Sequence, residues 1–346
     1  MFDARHLLAA AAAARVVKNS TSLTAVSLFT EQPFAQMAPP LTVCNLLTAG
    51  AATGLATRLR KLTGIQPHAE DTAQQLQALQ LCTSLTHLDF DGRQLGNWLA
   101  QHGPQGAALL SAALQGMGGL TYLRVGSCCL QSQHAAVLAS ALHPLTQLLH
   151  LHLPGSLRGA GVAALAPTLS AMPGLQTLDV SYNALVGVQG AQALCTVLNV
   201  VSGLTLLDVS DNAFETEGVA LLAPVLRGMT CLHTLNMRHT HIGDGGIAML
   251  APALAAPPCL HTLDLRGNGL GAQAMSALQP LWVKQGSLLR KLDLGDKPLD
   301  LEGAQPLAAG LSSLPVLQDL SLGFAAFGAN AWVSLAPTFS RLGPSL

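Results

Sequence analysis

One eleven-residue leucine pattern recurs along most of this 346-residue chain and constrains its fold more than any other feature. Earlier copies begin at Leu85, Leu120 and Leu148. The later copies, 28 or 29 residues apart, read LQTLDVSYNAL from Leu175, LTLLDVSDNAF from Leu204, LHTLNMRHTHI from Leu232, LHTLDLRGNGL from Leu260, LRKLDLGDKPL from Leu289 and LQDLSLGFAAF from Leu317. Because nine regularly spaced copies are hard to obtain by chance, the pattern predicts an array of one repeated structural unit.

Each repeat is predicted to contain one strand and one helix. In LDVSYN, Leu178 and Val180 alternate with polar residues, which is the period-two pattern of a strand with one buried face. In GVALLAPVL, Val219, Leu222 and Leu226 form one stripe of a 3.6-residue helix. A single strand and helix cannot bury these apolar sides alone, so stacked neighbours are needed to form a continuous core.

A proline recurs inside the helical part of the repeat, within LAPTL, LAPVL, LAPAL and LAPTF. On a helical wheel, Pro167 lies about 170° from the stripe that includes Val162 and Leu165. A proline on the outer side removes a hydrogen bond that helix curvature already weakens. The pattern therefore predicts that the prolines face away from the sheet, at Pro167, Pro224, Pro252 and Pro280.

These segments resemble the leucine-rich repeat, whose signature is L-x-x-L-x-L-x-x-N/C-x-L. The period of 28 to 29 residues is similar to that of the ribonuclease-inhibitor-like subclass, also found in the C-terminal arrays of NOD-like receptors and in Ran GTPase-activating proteins. The resemblance implies an α/β fold: a right-handed solenoid of horseshoe shape, with a parallel sheet on the concave face and helices on the convex face. Residues 85–346 would form regular repeats, and residues 1–84 degenerate ones continuous with them as one solenoid.

The Asn position of the signature turns the chain after each strand, where a buried side chain must satisfy unpaired backbone groups. Asn183, Asn212, Asn268 and the accepted alternative Cys128 occupy it. Other residues interrupt the series at Arg93, Ser156, Thr240, Lys297 and Ala325. We expect irregular turns at the last two of these positions, Lys297 and Ala325.

The two ends of the chain look like partial repeats. The N-terminal HLLAAAAAARVVKNS aligns with a repeat helix; its apolar run with nearby arginines is also compatible with a signal or transit segment. At the other end, the chain stops at the first leucine of a further strand. Arrays of this kind normally carry polar caps, so we expect the chain to be part of a larger protein or assembly.

Charge and cysteine content exclude several classes of function. Only 10% of the residues are charged and the net charge is -1, which gives no electrostatic case for nucleic acid or an anionic membrane. No apolar run approaches the 18 residues of a membrane span. The seven cysteines contain no C-x-x-C pair, so neither a disulfide framework nor a zinc site is indicated and a cytoplasmic location is expected.

The solvent-facing side of the predicted sheet holds the candidate binding residues. One polar side chain per strand would form a column rich in aspartate, and two arginines on adjacent repeats would flank it as anchors for a carboxylate. The alternative is that aspartate is simply common at this position of the repeat, as in LDL, and has no role in binding. The predicted partner-binding residues are Asp89, Arg124, His152, Asp179, Asp208, Asn236, Arg238, Asp264, Arg266 and Asp293.

Catalytic and metal sites are not predicted. His150 with His152, and His239 with His241, have spacing suited to a shared metal, but each pair lacks a third ligand. His152, Asp179 and Ser181 superficially resemble a hydrolytic triad without a nucleophile elbow. The glycines of GNGLGA fit turn geometry better than a phosphate loop. No cofactor is expected.

The sequence therefore predicts a non-enzymatic scaffold that binds a protein partner through its concave face. The alternative function is GTPase activation, by resemblance to the Ran activators, although no residue here can be matched to such a site.

Overall fold

The computed structural model describes residues 24–27, 47, 54–65, 72–91, 93–130, 132–256, 259–285, 288–295, 301–322 and 329–342. The chain divides into two compact units, Met1–Leu157 with Pro167–Leu175 and Arg158–Ala166 with Gln176–Leu346. Strands of the first unit are β1 (Ala25–Ser27), β2 (Lys61–Ile65), β3 (His87–Asp91), β4 (Tyr122–Gly126) and β5 (His150–His152). Those of the second are β6 (Thr177–Asp179), β7 (Leu206–Asp208), β8 (Thr234–Asn236), β9 (Thr262–Asp264), β10 (Lys291–Asp293) and β11 (Asp319–Ser321).

Helices alternate with these strands along the chain. They are α1 (Leu55–Arg58), α2 (Thr72–Leu79), α3 (Arg93–Gln115), α4 (Ser132–Leu142), α5 (Ala166–Leu169), α6 (Gly187–Leu198), α7 (Glu215–Gly228), α8 (Gly243–Leu254), α9 (Ala272–Ala277), α10 (Gln279–Gln285), α11 (Leu301–Leu311) and α12 (Ala329–Leu342). A 3₁₀-helix, Gly159–Leu165, precedes α5. Helix α3 is broken at Gly103, whose φ of 47° lies outside the helical region.

Each unit contains a parallel sheet in which sequential strands pair side by side. In the second unit Leu178, Leu207 and Leu235 align in register, and in the first Leu88, Leu123 and Leu151 do so. All six leucines are fully buried, so the sheet turns this face towards the core. The apolar stripe of the helices packs on the same core, for example Val219, Leu222 and Leu226 of α7. The α/β solenoid fold predicted from the repeat is confirmed.

The turn after each strand has a repeated backbone conformation. The residues that flank the Asn position on both sides adopt positive φ in several repeats, for example Tyr182 and Ala184 around Asn183. Glycine adopts this left-handed region with the least steric cost. Gly267 and Gly269 of GNGLGA occupy the two flanking positions with φ of 78° and 66°, which confirms that turn geometry accounts for these glycines.

The Asn position satisfies backbone groups as predicted. Asn183, Asn212 and Asn268 are buried, and the Asn268 side chain accepts from the backbone N–H of Thr240 at 2.9 Å and donates to the carbonyl of Met237 at 2.7 Å. Two of the interrupting residues take over part of this role through a hydroxyl group. Thr240 donates to the carbonyl of Met237, and Ser156 to that of Val125. Lys297 and Ala325 lie outside the described residues, as does the N-terminal segment HLLAAAAAARVVKNS.

The recurring prolines lie on the solvent-exposed side of their helices. Pro167, Pro224, Pro252 and Pro280 are all exposed, whereas the residues two positions before and after each of them, about half a helical turn away, are buried. The predicted register of the helices is therefore confirmed. The division of the sequence at residues 84 and 85 stays a prediction.

Because Pro224 faces solvent, its replacement by alanine is expected to stabilise the protein slightly. An interior proline costs about 3 kcal/mol in a straight helix, and less where curvature has already weakened the missing bond. We expect Pro224→Ala to raise the free energy of unfolding by about 1 kcal/mol in urea denaturation. As a control, Ala223→Pro places the ring at a buried neighbouring position and should lower it by about 3 kcal/mol. A clear loss of stability in Pro224→Ala would contradict this account of the prolines.

Candidate functional site: the solvent-facing side of the sheet

The predicted polar residues form one column in each unit. In the second unit the register pairs Asp179 with Asp208, Asp208 with Asn236, Asn236 with Asp264, and Asp264 with Asp293. In the first unit it pairs Asp89 with Arg124 and Arg124 with His152. Neighbouring parallel strands lie about 4.8 Å apart, so members of a column are close neighbours. We call the second-unit set the acidic column; its members are Asp179, Asp208, Asn236, Asp264 and Asp293.

Side chains of the acidic column are partly covered by the turns that follow the strands. Asp179, Asp208, Asn236 and Asp264 are half-buried, and Asp293 is only 5% exposed. The burial follows from their position at the last residue of a strand, where the chain bends back towards the helix layer. The column therefore presents carboxylate edges, rather than whole side chains, to solvent.

One oxygen of each column residue holds the turn. Oδ1 of Asp208 accepts from the backbone N–H of Ser210 at 2.9 Å and from its hydroxyl at 2.7 Å. Oδ1 of Asp179 accepts in the same way from Ser181. The same acceptor role, from the N–H two residues on, is filled at the remaining positions by Asn236, Asp264 and Asp293. This local bond is an Asx turn, which Asp and Asn both form.

The second oxygen of these carboxylates meets polar side chains along the column. Oδ2 of Asp208 accepts from the Asn236 amide at 2.9 Å. Arg266 lies 3.1 Å from Oδ2 of Asp264 and 3.4 Å from Oδ2 of Asp293, so one guanidinium bridges two carboxylates of adjacent strands. The arginine predicted to anchor a partner's carboxylate is thus engaged with carboxylates of its own chain.

Burial disfavours the ionised form of carboxyl groups in the acidic column. The pKa of Asp208 is raised above its usual value, mainly by burial and further by the neighbouring Asp179, while the bonds from Ser210 act in the opposite direction. Burial also raises the pKa of Asp264, with a contribution from Asp293. Charge at these positions therefore has a cost within the folded protein.

Arg238 lies at the position equivalent to Arg266 on the previous repeat. Its backbone N–H donates to Asn236 Oδ1 at 3.0 Å. The Nε atoms of Arg238 and Arg266 are both buried without a hydrogen-bond partner. Arg238 lies two residues after the neutral Asn236, whereas Arg266 lies two residues after Asp264. Of these two arginines, Arg266 is therefore the one that forms an ion pair within its own turn.

A second group on the first unit's sheet was identified from the sequence only in part, through the pair His150 and His152. His87, Tyr122 and His150 align in register at the start of β3, β4 and β5, and His152 follows on the same face. The rings of His87 and Tyr122 stack with centroids 3.8 Å apart, and the centroid of Tyr122 lies 5.0 Å from that of His152. We call these four residues the histidine–tyrosine cluster. In the sequence, three members of this cluster are the third residues of LTHL, LTYL and LLHL. They form a column only when the strands are in register.

Within the part of the chain that the structure describes, no group of three or more His, Cys, Asp or Glu side chains is arranged to hold a metal ion. Over the same residues, no helix combines the length and apolar character that crossing a membrane requires.

A family model of the leucine-rich repeat matches four segments of the chain, residues 173–195, 204–223, 228–251 and 256–278. These four segments are therefore leucine-rich repeats. Arrays of this type are typically binding scaffolds, which use the extended surface of the sheet. No curated protein matches the chain at a significant level of sequence similarity.

Solved structures resemble the chain in fold. The leucine-rich repeat-containing protein LegL7 from Legionella pneumophila is 14% identical, with a TM-score of 0.53, over 93% of this chain and 100% of that one. An internalin, inlF, from Listeria monocytogenes is 17% identical with a TM-score of 0.45, over 82% of this chain and 80% of that one. At such identities, the likeness to LegL7 shows a shared repeat fold and nothing about a shared partner.

Proposed function

We propose that this leucine-rich repeat chain is a protein-interaction scaffold that forms part of a larger protein or assembly. Its partner would bind the solvent-facing side of the sheet. We assign the repeats to the ribonuclease-inhibitor-like subclass, because full helices such as the 14-residue α7 lie between strands. The proposed contacts are the predicted residues Asp89, Arg124, His152, Asp179, Asp208, Asn236, Arg238, Asp264, Arg266 and Asp293.

The observation that carries this proposal is that the charge of the acidic column is not needed for the turn. Asn236 forms the same Asx turn as the aspartates without a charge. Burial raises the pKa of Asp208 and Asp264, so an Asn at either position would avoid a cost. A carboxylate that is costly and structurally replaceable is well suited to pair with a cationic group of a partner.

The triple variant Asp179→Asn, Asp208→Asn, Asp264→Asn tests this role. Asparagine retains the Oδ1 acceptor and removes the charge, but its Nδ2 cannot accept the bonds that Oδ2 of Asp208 and of Asp264 receives from Asn236 and Arg266. Relief of the burial cost offsets part of this loss, so the free energy of unfolding should fall by no more than about 2 kcal/mol. Partner recovery from a native lysate on the immobilised chain is expected to fall at least about tenfold, equivalent to about 1.4 kcal/mol. Quantitative mass spectrometry of the recovered proteins measures the loss.

A matched control removes three acidic charges from the helix side. Glu215, Glu217 and Glu302 are exposed on helices α7 and α11, and their replacement by glutamine changes the net charge equally. Recovery should stay at the level of the unmodified chain. Undiminished recovery by the aspartate variant, or an equal loss in both variants, would remove the acidic column from the proposed interface.

The charge-poor outer surface supports placement in a larger assembly. Helix α8 exposes Ala248, Met249 and Pro252, and a shallow apolar pocket of about 450 Å³ lies beside it, lined in part by Pro280 and Val283. Exposed apolar side chains in contiguous groups mark surfaces that are covered by another protein.

Two further proposals come from the sequence, a cytoplasmic location and an alternative function. Cytoplasmic location rests on the cysteine pattern alone. GTPase activation remains the alternative function, and nothing in the described residues favours it; assays of stimulated GTP hydrolysis against a panel of small GTPases would test it.

A further inference from the structure

The histidine–tyrosine cluster concentrates titratable groups on one side of the first unit's sheet. His87 stacks on Tyr122 with an interplanar angle of 8°, and the ring of His150 lies 6.2 Å from Tyr122 between centroids. The intervening residues Leu88 and Leu151 are fully buried, so the polar members of these strands face away from the core. Three imidazoles therefore surround one phenol ring on an accessible surface.

The groups around the cluster make it cationic. Lys61 of β2 pairs in register with His87 and is exposed. Arg124 lies 3.3 Å from Asp89, and its side chain remains 39% exposed. The charged and titratable groups that face the cluster are thus Lys61, His87, Asp89, Tyr122, Arg124, His150 and His152. With neutral imidazoles, two cations face one carboxylate; protonation of the histidines adds up to three positive charges.

Burial and the neighbouring positive groups oppose protonation in the free protein. The pKa of His87 is lowered by burial first and by Lys61 next, while Asp89 acts in the opposite direction. The pKa of His150 is lowered by burial and by His152. A carboxylate placed among these rings would reverse the effect, because it favours the charged imidazolium.

We propose that the histidine–tyrosine cluster, with Lys61 and Arg124, binds an acidic segment of a protein partner and takes up protons as it does so. The carboxylates of this segment would accept hydrogen bonds from the imidazolium N–H groups and from Arg124. This inference rests on the proposed function, since it names the chemistry of a partner that binds the sheet of the first unit.

The spacing of the cluster fits an extended segment. Alternate side chains of an extended chain repeat about every 6.8 Å, and β3 to β5 span about 9.6 Å, so two carboxylates fit across the three strands. A nucleic acid is disfavoured, because the described residues of this unit place only two permanent cations, Lys61 and Arg124, at the cluster and the chain as a whole has a net charge of -1.

Proton-linked binding can be measured with a defined peptide. The probe is a fluorescein-labelled ten-residue peptide of alternating Glu and Gly, and its control replaces Glu by Gln. At pH 5.5 glutamate stays ionised, since its usual pKa is about 4.3. Fluorescence anisotropy is expected to show binding of the Glu peptide about fivefold tighter at pH 5.5 than at pH 7.5 if one histidine gains one pKa unit on binding, and more if several histidines do so. The Gln peptide should bind at neither pH.

Two variants distinguish this site from a general effect of acid. The triple variant His87→Gln, His150→Gln, His152→Gln should lose the pH dependence. The control His233→Gln, His261→Gln changes another stacked pair, with centroids 5.2 Å apart, in the second unit, and should retain it. Calorimetry of the unmodified chain at pH 6.5, in two buffers of different ionisation enthalpy, should show uptake of protons on binding, which does not depend on how well any variant folds.

The outcomes separate this inference from the proposed function. Equal peptide affinity at both pH values, unchanged pH dependence in the triple histidine variant, no proton uptake, or tighter binding of a ten-nucleotide oligouridylate than of the peptide would each overturn the inference. If partner recovery still depends on Asp179, Asp208 and Asp264 in that case, the proposed scaffold function stands without it. If peptide binding is proton-linked but partner recovery does not depend on those aspartates, the acidic column is not part of the interface and the proposal for the histidine–tyrosine cluster is retained.

Discussion

Replacement of Asn212 by alanine is expected to lower the free energy of unfolding by about 3–5 kcal/mol. Its Oδ1 accepts from the backbone N–H groups of Asn183 and Leu185, both at 3.0 Å. Its Nδ2 donates to the carbonyls of Val180, Val209 and Ser210 at 2.9 to 3.2 Å. The side chain is buried, so its removal leaves up to five backbone groups without this partner. Each unsatisfied group costs about 1–3 kcal/mol, and entry of water into the vacated polar space reduces the total.

Urea denaturation followed by circular dichroism measures this loss, with two variants for comparison. Asn199→Ala removes an exposed asparagine after helix α6 and should cost less than about 0.5 kcal/mol. Asn212→Thr should cost less than Asn212→Ala, because Thr240 fills the equivalent position and its hydroxyl donates to a turn carbonyl at 2.7 Å. Similar small costs for Asn212→Ala and Asn199→Ala would show that the turn does not depend on this side chain.

Gly96→Ala is expected to destabilise the first unit by about 3 kcal/mol. A Cβ atom at Gly96 would lie 1.9 Å from the carbonyl oxygen of Cys128 and 2.5 Å from its carbonyl carbon. Both are backbone atoms of the turn that follows β4, so no change of rotamer relieves the contact. Helix α3 or the turn must move instead, and that movement disturbs the close packing between them.

Gly118→Ala is the matched control for the same chemical change. No atom lies within 4 Å of a Cβ built at Gly118, and its φ is not in the left-handed region. Its stability should change by less than about 0.5 kcal/mol or increase slightly, since alanine restricts the unfolded chain. Thermal unfolding of the two variants side by side tests the contact; equal midpoints would mean that the turn at Cys128 yields at little cost.

Residue patterns predicted the repeat at the level of single positions. The signature correctly identified Asn212 and Asn268 as buried residues that satisfy the turn, and the helical wheel correctly placed Pro224 and Pro252 on the solvent side. These predictions succeed because both features depend on local periodicity, which is the same in every repeat.

Roles that depend on close approach between segments were less visible. Gly190, Gly218 and Gly246 recur at a spacing of 28 residues, a regularity that the leucine pattern does not include. A Cβ at Gly218 would lie 2.7 Å from the carbonyl oxygen of Gly187 in the previous repeat, whereas a Cβ at Gly190 or Gly246 would meet Leu185 or Ile242, which lie just before it in the same repeat. Likewise Ser156 and Thr240 interrupt the Asn series in sequence, yet their hydroxyls bond to turn carbonyls, because the turn requires a hydrogen-bonding group at a place rather than one residue type.

For the candidate site, the sequence by itself determined which side chains share a face and which strands are neighbours. Period-two alternation and a regular repeat leave only one register that buries every leucine, so Asp179, Asp208 and Asp264 had to align. Only the tertiary structure decided how those carboxylates are used. Whether Arg266 binds a partner's carboxylate or bridges Asp264 and Asp293, and whether His87 and Tyr122 stack, depends on distances between strands. The contacts of Arg266 with Asp293 and of His87 with Tyr122 join residues 27 and 35 positions apart, and local propensity carries no information about the geometry between them.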